Sequence, residues 1–375
     1  MKIGFISNRE TTDIKSWSGT LFYLFKTLEK EYEVECVYIR DNLLEFLYLK
    51  LMYFFYNKIA GRNISPEHTF LYAKLKSYKL DTYLKTKQSC FDVLFAPIGC
   101  QVIAFAKTKI PIIYLSDATF ASMIDYYPEY TNLPSWNVRQ GNYIEAQAIM
   151  KSDKIIFSSD WAMESAVNNY HADRSKLYVI PFGANIDDQF LEEDFQKEKD
   201  RLKLLFIGVN YLRKGGGIAV KTANEIKNRG FECEISIIGC APDERHYKDE
   251  GVKIIGFLNK NNSKDAERLT AEMKSSHFLI LPTKAECAGI VFCEASCYGV
   301  PNITYDTGGI ANYVENNING FRLPLEADEK QFADKILEFF QEGIYEDISS
   351  SSRLKYKREL NWDTWLRKFK TVFNN

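Results

Sequence analysis

The chain has 375 residues, 46% hydrophobic and 14% aromatic, and a formal net charge of −2. That length and composition allow a large core and point to two domains rather than one. The charge balance excludes a globally basic nucleic-acid binder but leaves a local basic face open.

The chain opens on the apolar, strand-like KIGFIS, with no signal peptide before it. Its cysteines, at 36, 90, 100, 233, 240, 287, 293 and 297, form no C-x-x-C pair, and reduced thiols in the cytosol are expected. Cys293 and Cys297 are spaced to share a helix face, as two metal ligands would. No His or further Cys at ligand spacing accompanies them, so small buried hydrophobes are the better reading.

Short apolar runs alternate with amphipathic stretches along the whole chain, the pattern of a parallel sheet covered by helices. The first half contributes KIGFIS, EVECVYI, FDVLFAP, PIIYLS, KIIFSS and LYVIPFG, and the second LKLLFIG, CEISIIG, VKIIGF, HFLILPT and VPNITY. Between them the charged DDQFLEEDFQKEKDR, residues 187 to 201, reads as the crossing point, so the domains are expected at 1–184 and 185–360. Two facing doubly wound α/β domains would bind a ligand at the carboxyl ends of their strands, in a cleft between them.

Within the first domain, Leu43 to Asn57 holds 12 apolar residues among 15, interrupted by Glu45 and Lys50. This falls short of the roughly 18 apolar residues of a transmembrane helix. Asp41 to Cys90 carries eight Lys or Arg against four Asp or Glu, including YAKLKSYKLDTYLKTK. Basic residues interleaved with Tyr, Phe and Leu suit a helix pair on an anionic membrane surface across Leu43 to Lys87, with Lys74, Lys76 and Lys79 on the solvated face. A helix packed on the sheet beside a solvated basic neighbour is the alternative.

The second domain opens on LKLLFIGVNYLRKGGGIAV, a strand, a turn with two adjacent cations, and three glycines starting a helix. Arg213 and Lys214 would lie near the helix start, where the field favours anions, and Gly215 to Gly217 would let backbone approach a phosphate. The stretch is neither a P-loop nor a G-x-G-x-x-G fingerprint, which argues against an NAD-dependent oxidoreductase. Further on, KAECAGIVFCEASCYGVP keeps a lone carboxylate, Glu294, among small apolar residues. With HFLILPT as strand and Gly289 to Tyr298 as helix, Glu286 sits on the loop between and the backbone N–H groups of Gly289, Ile290 and Val291 face an anion. Glu294 needs donors nearby, and a ligand with vicinal hydroxyls beside a diphosphate would satisfy it and the helix end together. That ligand is a nucleotide sugar; pairing of Glu294 with a structural cation or amide is the bland alternative.

Over essentially its whole length the chain resembles the retaining GT-B glycosyltransferases of family 4. The resemblance rests on four ordered motifs: FIGVNYLRKGG, VIPFGANID, the E-x7-E pair Glu286 and Glu294 followed by ASCYGVP, and TYDTGGIANYVENNINGFRLP. It implies that Glu286 contacts donor-sugar hydroxyls near the reacting carbon and that Glu294 holds the ribose. Arg213 and Lys214 would neutralise the departing diphosphate. Gly208, Cys287, Ala288, Gly289, Ile290 and Val291 would line the donor. Gly19, in SWSGT, would lie near the phosphates and acceptor, and Gly256 would meet the nucleoside. The terminal helix, 361–375, would pack back on the first domain. The family needs no bound metal, and the chain has no D-x-D motif.

Three positions depart from the family pattern. Asp117 stands where many relatives have a histidine, which leaves three roles open: orienting an acceptor hydroxyl, accepting its proton, or capping the next turn. Val209 replaces an Arg after the strand glycine, and Asn312 a frequent Glu. The implied activity is metal-independent, retaining transfer of a hexosyl group from a UDP- or GDP-sugar to a glycan or lipid-linked acceptor in bacterial surface polysaccharide synthesis. The protein would be cytoplasmic or peripheral at the inner membrane face. A catalytically silent sugar-nucleotide-binding partner of a glycosylation complex is the alternative.

Overall fold

The computed structural model describes every residue except 12–15, 87–90, 187–196, 198–200, 241–250, 342 and 375. The chain divides into two units, Met1–Ile180 with Leu366–Asn375, and Pro181–Trp365. Nearly all of the expected crossing stretch, 187–201, lies outside the described residues, as does Cys90; the other seven cysteines are free thiols.

In the first unit six strands, β1 (Lys2–Ser7), β2 (Glu33–Tyr38), β3 (Val93–Pro97), β4 (Ile112–Ser116), β5 (Lys154–Phe157) and β6 (Leu177–Val179), form one parallel sheet in the order β2-β1-β3-β4-β5-β6. β3 and β4 are buried at every position, as strands covered on both faces must be. Helices α1 (Thr20–Glu29), α2 (Leu43–Phe54), α3 (Phe70–Thr86), α4 (Cys100–Ile103), α5 (Phe120–Met123), α6 (Ser135–Lys151) and α7 (Asp160–Tyr170) lie along the connections.

The second unit repeats the plan. Strands β7 (Leu202–Ile207), β8 (Cys233–Ile238), β9 (Val252–Gly256), β10 (Phe278–Leu281), β11 (Asn302–Tyr305) and β12 (Gly320–Leu323) make a parallel sheet in the order β12-β11-β10-β7-β8-β9. Its helices are α8 (Gly216–Asn228), α9 (Ser263–Ser275), α10 (Ile290–Cys297), α11 (Glu329–Phe339) and α12 (Ile344–Arg358); α13 (Trp362–Asn374) ends the chain. Each sheet reverses its strand order once, β1 against β3 and β7 against β10, and loops leaving the two central strands meet at that point. β12 is the strand that the apolar runs do not reveal: GFRL is short and its middle residues are half-exposed.

The expected basic helix pair proves to be two unlike helices. α2 starts on a capping box, Asn42 accepting from the Glu45 N–H and Glu45 from the Asn42 N–H. Its buried face is small, while Leu43, Leu44, Leu47, Leu51 and Phe54, and then Phe55 and Ile59 in a wide turn over Phe55–Ile59, are exposed. On α3, Lys74 is exposed, but the expectation that Lys76 and Lys79 share a solvated face is overturned. Lys76 is fully buried, 2.6 Å from Asp41 and donating to the Ile39 carbonyl at 3.0 Å; Lys79 pairs with the buried Glu45. A buried ammonium survives only with such partners, so these lysines tie α3 to α2 and β2. No described helix is long and apolar enough to cross a membrane.

Candidate active site

In the second unit the reversal of strand order brings together what the sequence separates. Leu204 and Leu205 of β7 pair with Phe278 and Leu279 of β10, so the turn after β7 and the loop after β10 emerge side by side. Lys214 from the turn and Glu286 from the loop form an ion pair, both largely shielded from solvent. Arg213 fastens the same two segments, donating to the Ala285 carbonyl at 3.0 Å, while the Asn210 side chain accepts from its N–H at 3.0 Å. The Lys214 stem packs against Gly208, where an added Cβ would come within 3.0 Å of Lys214 Cγ.

The glycines of the turn act differently from the expectation that all three give room to a phosphate. Gly215 caps α8 at φ 79°, a left-handed conformation, and a Cβ there would strike the Pro282 carbonyl. One on Gly216 would strike the Tyr211 ring. Two glycines therefore let the turn close on protein; only Gly217 looks out on open space.

α10 begins at Ile290, capped by Gly289 at φ 84°, and Cys287 and Ala288 are buried just before it. By geometry the leading N–H groups of a helix, here from Gly289, Ile290 and Val291, have no partner within it and carry its positive end. Glu294, one turn on, is buried and forms an ion pair with Lys260, which follows β9 and also donates to the Asn185 carbonyl at 3.4 Å. Lys260 is the site residue that the sequence reading missed; it lies in the polar run NKNNSK, where nothing distinguishes it. Gly256 ends β9 at φ 81° with open space beside it, and its carbonyl accepts from the Gly239 N–H at 2.8 Å. Cys293 and Cys297 are buried in α10, the Cys293 thiol against the Phe182 carbonyl.

In the first unit Asp117 follows β4, and the Trp17 indole donates to its carboxylate at 3.1 Å. Trp17, Ser18 and Gly19 all have positive φ, so this contact anchors an unusual segment at the entry to α1. The helix after Asp117, α5, is capped by Thr119, whose side chain accepts from the Ser122 N–H. Asp117 borders a cavity of about 490 Å³ at the carboxyl ends of β1, β3 and β4. Burial shifts several of its lining groups, among them a carboxyl and an imidazole. Burial pushes the Glu145 carboxyl up to about 7 against hydrogen bonds that pull it down, among them one of 2.9 Å from the Tyr114 hydroxyl. Burial likewise lowers His68 to about 4, which keeps it neutral.

Residues 201–342 match the family model described as group 1 glycosyl transferases. An uncharacterized glycosyltransferase of Methanocaldococcus jannaschii is 24% identical over 245 residues, 63% of this chain and 64% of the relative. A D-inositol 3-phosphate glycosyltransferase of Corynebacterium glutamicum is 21% identical over 287 residues, 71% of this chain and 67% of its own. The matches thus span about two thirds of these relatives' length. Among solved structures, the lipopolysaccharide outer core galactosyltransferase WaaB superposes over 100% of this chain and 99% of its own, with a TM-score of 0.66 and 14% identity. Anabaena HepE in complex with UDP and glucose superposes over 100% and 99%, with a TM-score of 0.65 and 16% identity. The two six-stranded parallel sheets are those of the GT-B glycosyltransferase fold, and the match over 201–342 supports a glycosyltransferase of the group 1 type.

Proposed function

We propose that the protein is a retaining, metal-independent hexosyltransferase that takes its sugar from a UDP- or GDP-sugar and passes it to a hydroxyl of a glycan or lipid-linked acceptor in bacterial surface polysaccharide synthesis. The observation that carries this reading is the Lys214–Glu286 pair at the strand reversal of the second unit, beside the N-terminus of α10. A donor diphosphate would displace Glu286 from Lys214 and take its charge compensation from Lys214 and the helix end. Glu286, once freed, would accept from the donor sugar's hydroxyls, and Glu294 with Lys260 would hold the ribose. As the bond from the anomeric carbon to the diphosphate breaks, the new bond to the acceptor oxygen forms on the same face, and the acceptor proton passes to the departing phosphate. Negative charge grows on the diphosphate during this step, so cations fixed there lower the barrier without an ion. The solved relatives named for a galactosyltransferase and for a complex with UDP and glucose favour a hexosyl donor.

On this reading the first unit takes the acceptor, and the protein works on the cytoplasmic membrane face. Support for the surface comes from the apolar arc of α2 and the wide turn after it, which carry Lys50 and Lys58 respectively and no acid between them. The first experiment is calorimetry of UDP and GDP in buffer containing EDTA. One nucleotide should bind the wild type, and Lys214→Ala should weaken it at least 10-fold while circular dichroism stays unchanged. Equal affinity in the variant, or binding only after Mn²⁺ is added, would refute the assignment.

A further inference from the structure

The cavity of the first unit carries an electrostatic character opposite to that of the donor site. Its volume of about 490 Å³ lies within the ~300–1,000 Å³ common for small-molecule sites. Among its described lining residues four carry carboxyl groups, Glu67, Asp117, Glu129 and Glu145, and one, Arg9, carries a guanidinium. Tyr53 and Tyr130 line it as well; the Tyr53 hydroxyl donates to Glu67 at 3.0 Å, and the Tyr130 ring is braced edge-on against Phe120, 5.9 Å between centroids.

Resting on the glycosyl-transfer reading, we propose that this cavity seats an uncharged, hydroxyl-bearing sugar residue of the acceptor and rejects the same sugar when it is phosphorylated. An ionised carboxylate only accepts hydrogen bonds and a sugar hydroxyl can donate them, so Glu67, Glu129 and Asp117 are matched to hydroxyls. A phosphate brings acceptor oxygens and negative charge to acceptor oxygens of the same sign. Neutral His68 adds no compensating charge, which leaves Arg9 as the one cation among the described lining residues, against the carboxyl groups of Glu67, Asp117 and Glu129. Flat faces of tyrosine rings suit the C–H faces of a pyranose, as amphipathic aromatic groups do wherever one side of a ligand is apolar and the other wet. The two units thus divide the recognition by charge: cations and a helix N-terminus for the donor's diphosphate, carboxylates and tyrosines for the acceptor's hydroxyls. This separates the chain from its relative named for D-inositol 3-phosphate.

The test uses the full chain saturated with whichever of UDP or GDP binds it. Saturation-transfer NMR is run with methyl glycosides of glucose, galactose, mannose and N-acetylglucosamine, each paired with its 6-phosphate. At least one neutral glycoside should bind 10-fold or more tightly than its phosphate, with the gap narrowing between 50 and 500 mM salt. Glu67→Gln with Glu129→Gln should cut the discrimination several-fold, and Tyr130→Ala should weaken the neutral glycoside. A folded double variant with unchanged discrimination, tighter binding of any 6-phosphate, or no glycoside bound to the nucleotide-loaded wild type would overturn the inference. Failure of both UDP and GDP to bind would instead refute the underlying glycosyl-transfer reading, so the two failures are distinct.

Discussion

At the scale of single residues the two glutamates of the second unit differ in what holds them. Glu286 is on a loop and paired to Lys214, a partner that a diphosphate would compete for; Glu294 is buried in α10 and paired to Lys260. Glu286→Gln should therefore chiefly lower kcat, by about 10²-fold, the scale of one well-placed electrostatic contact to the transition state. Glu294→Gln should chiefly raise the KM for donor, because on the proposed reading it would hold the ribose, a part of the donor that does not react. Steady-state kinetics separates the two, and equal losses in kcat with unchanged KM would contradict the division. In the first unit His68 and Glu145 set opposing pH dependences. His68, lowered from 6.5 to about 4, contributes stability that is present above pH 6.5 and lost as pH falls through 4. Glu145, raised from 4.5 to about 7, contributes stability that is present below pH 4.5 and lost as pH rises through 7. On acidification from pH 7 to 5 the two largely offset each other. Glu145→Gln removes one slope and leaves the other, so the Tm of the variant should fall more steeply over that interval than the wild type's; parallel Tm curves would show that Glu145 titrates elsewhere.

Elements explain what the sequence could and could not reveal. The central strands β3, β4 and β10 stand out as apolar runs because strands buried on both faces need no alternation, whereas β12 is only four residues long, GFRL, with one charged residue among them, and leaves no such run. Lys214 and Glu286 each carry a local signal, but their pairing needs β7 and β10 to be neighbours, a matter of topology rather than of either segment. Lys76 misleads for the same reason: YAKLKSYKL reads as a solvated basic helix, and only the arrival of Asp41 and the Ile39 carbonyl from outside α3 makes a buried ammonium tolerable. The same correction moves the membrane prediction from α3 to α2. If the apolar arc of α2 rests on lipid, Leu47→Ser with Leu51→Ser and Phe54→Ser should release the protein from anionic vesicles without lowering its Tm, since these side chains are exposed. Lys50→Glu with Lys58→Glu should weaken binding further, each cation being worth about 1 kcal/mol near an anionic surface and screened by salt. Wild type that stays in the supernatant with anionic vesicles at 50 mM salt would remove the membrane from the account.

For the molecule as a whole, the last ten residues matter more than their position suggests, because they group with the first unit although the chain before them, from Pro181, belongs to the second. Phe369 in α13 is fully buried, its ring 5.6 Å from Phe95 of β3 and 6.1 Å from Tyr32, centroid to centroid. Lys370 pairs with Glu31 at 2.6 Å, and Lys154, opening β5, donates to the Val372 carbonyl at 2.5 Å. The first unit's core is thus completed by a segment separated from the rest of it by the whole second unit. Truncating a buried Phe to Ala costs about 3–5 kcal/mol through lost transfer energy and an unfilled cavity. Phe369→Ala should accordingly lower the transition of the first unit in scanning calorimetry by several degrees. On the proposed reading the donor would be held by Lys214, Glu286, Glu294 and α10, all in the second unit, so the affinity for UDP or GDP measured well below that transition should match the wild type's. A variant that loses nucleotide affinity in step with its Tm would mean that the two units do not divide the work in this way, and one whose Tm does not move would mean that the C-terminal segment adds nothing to the first core.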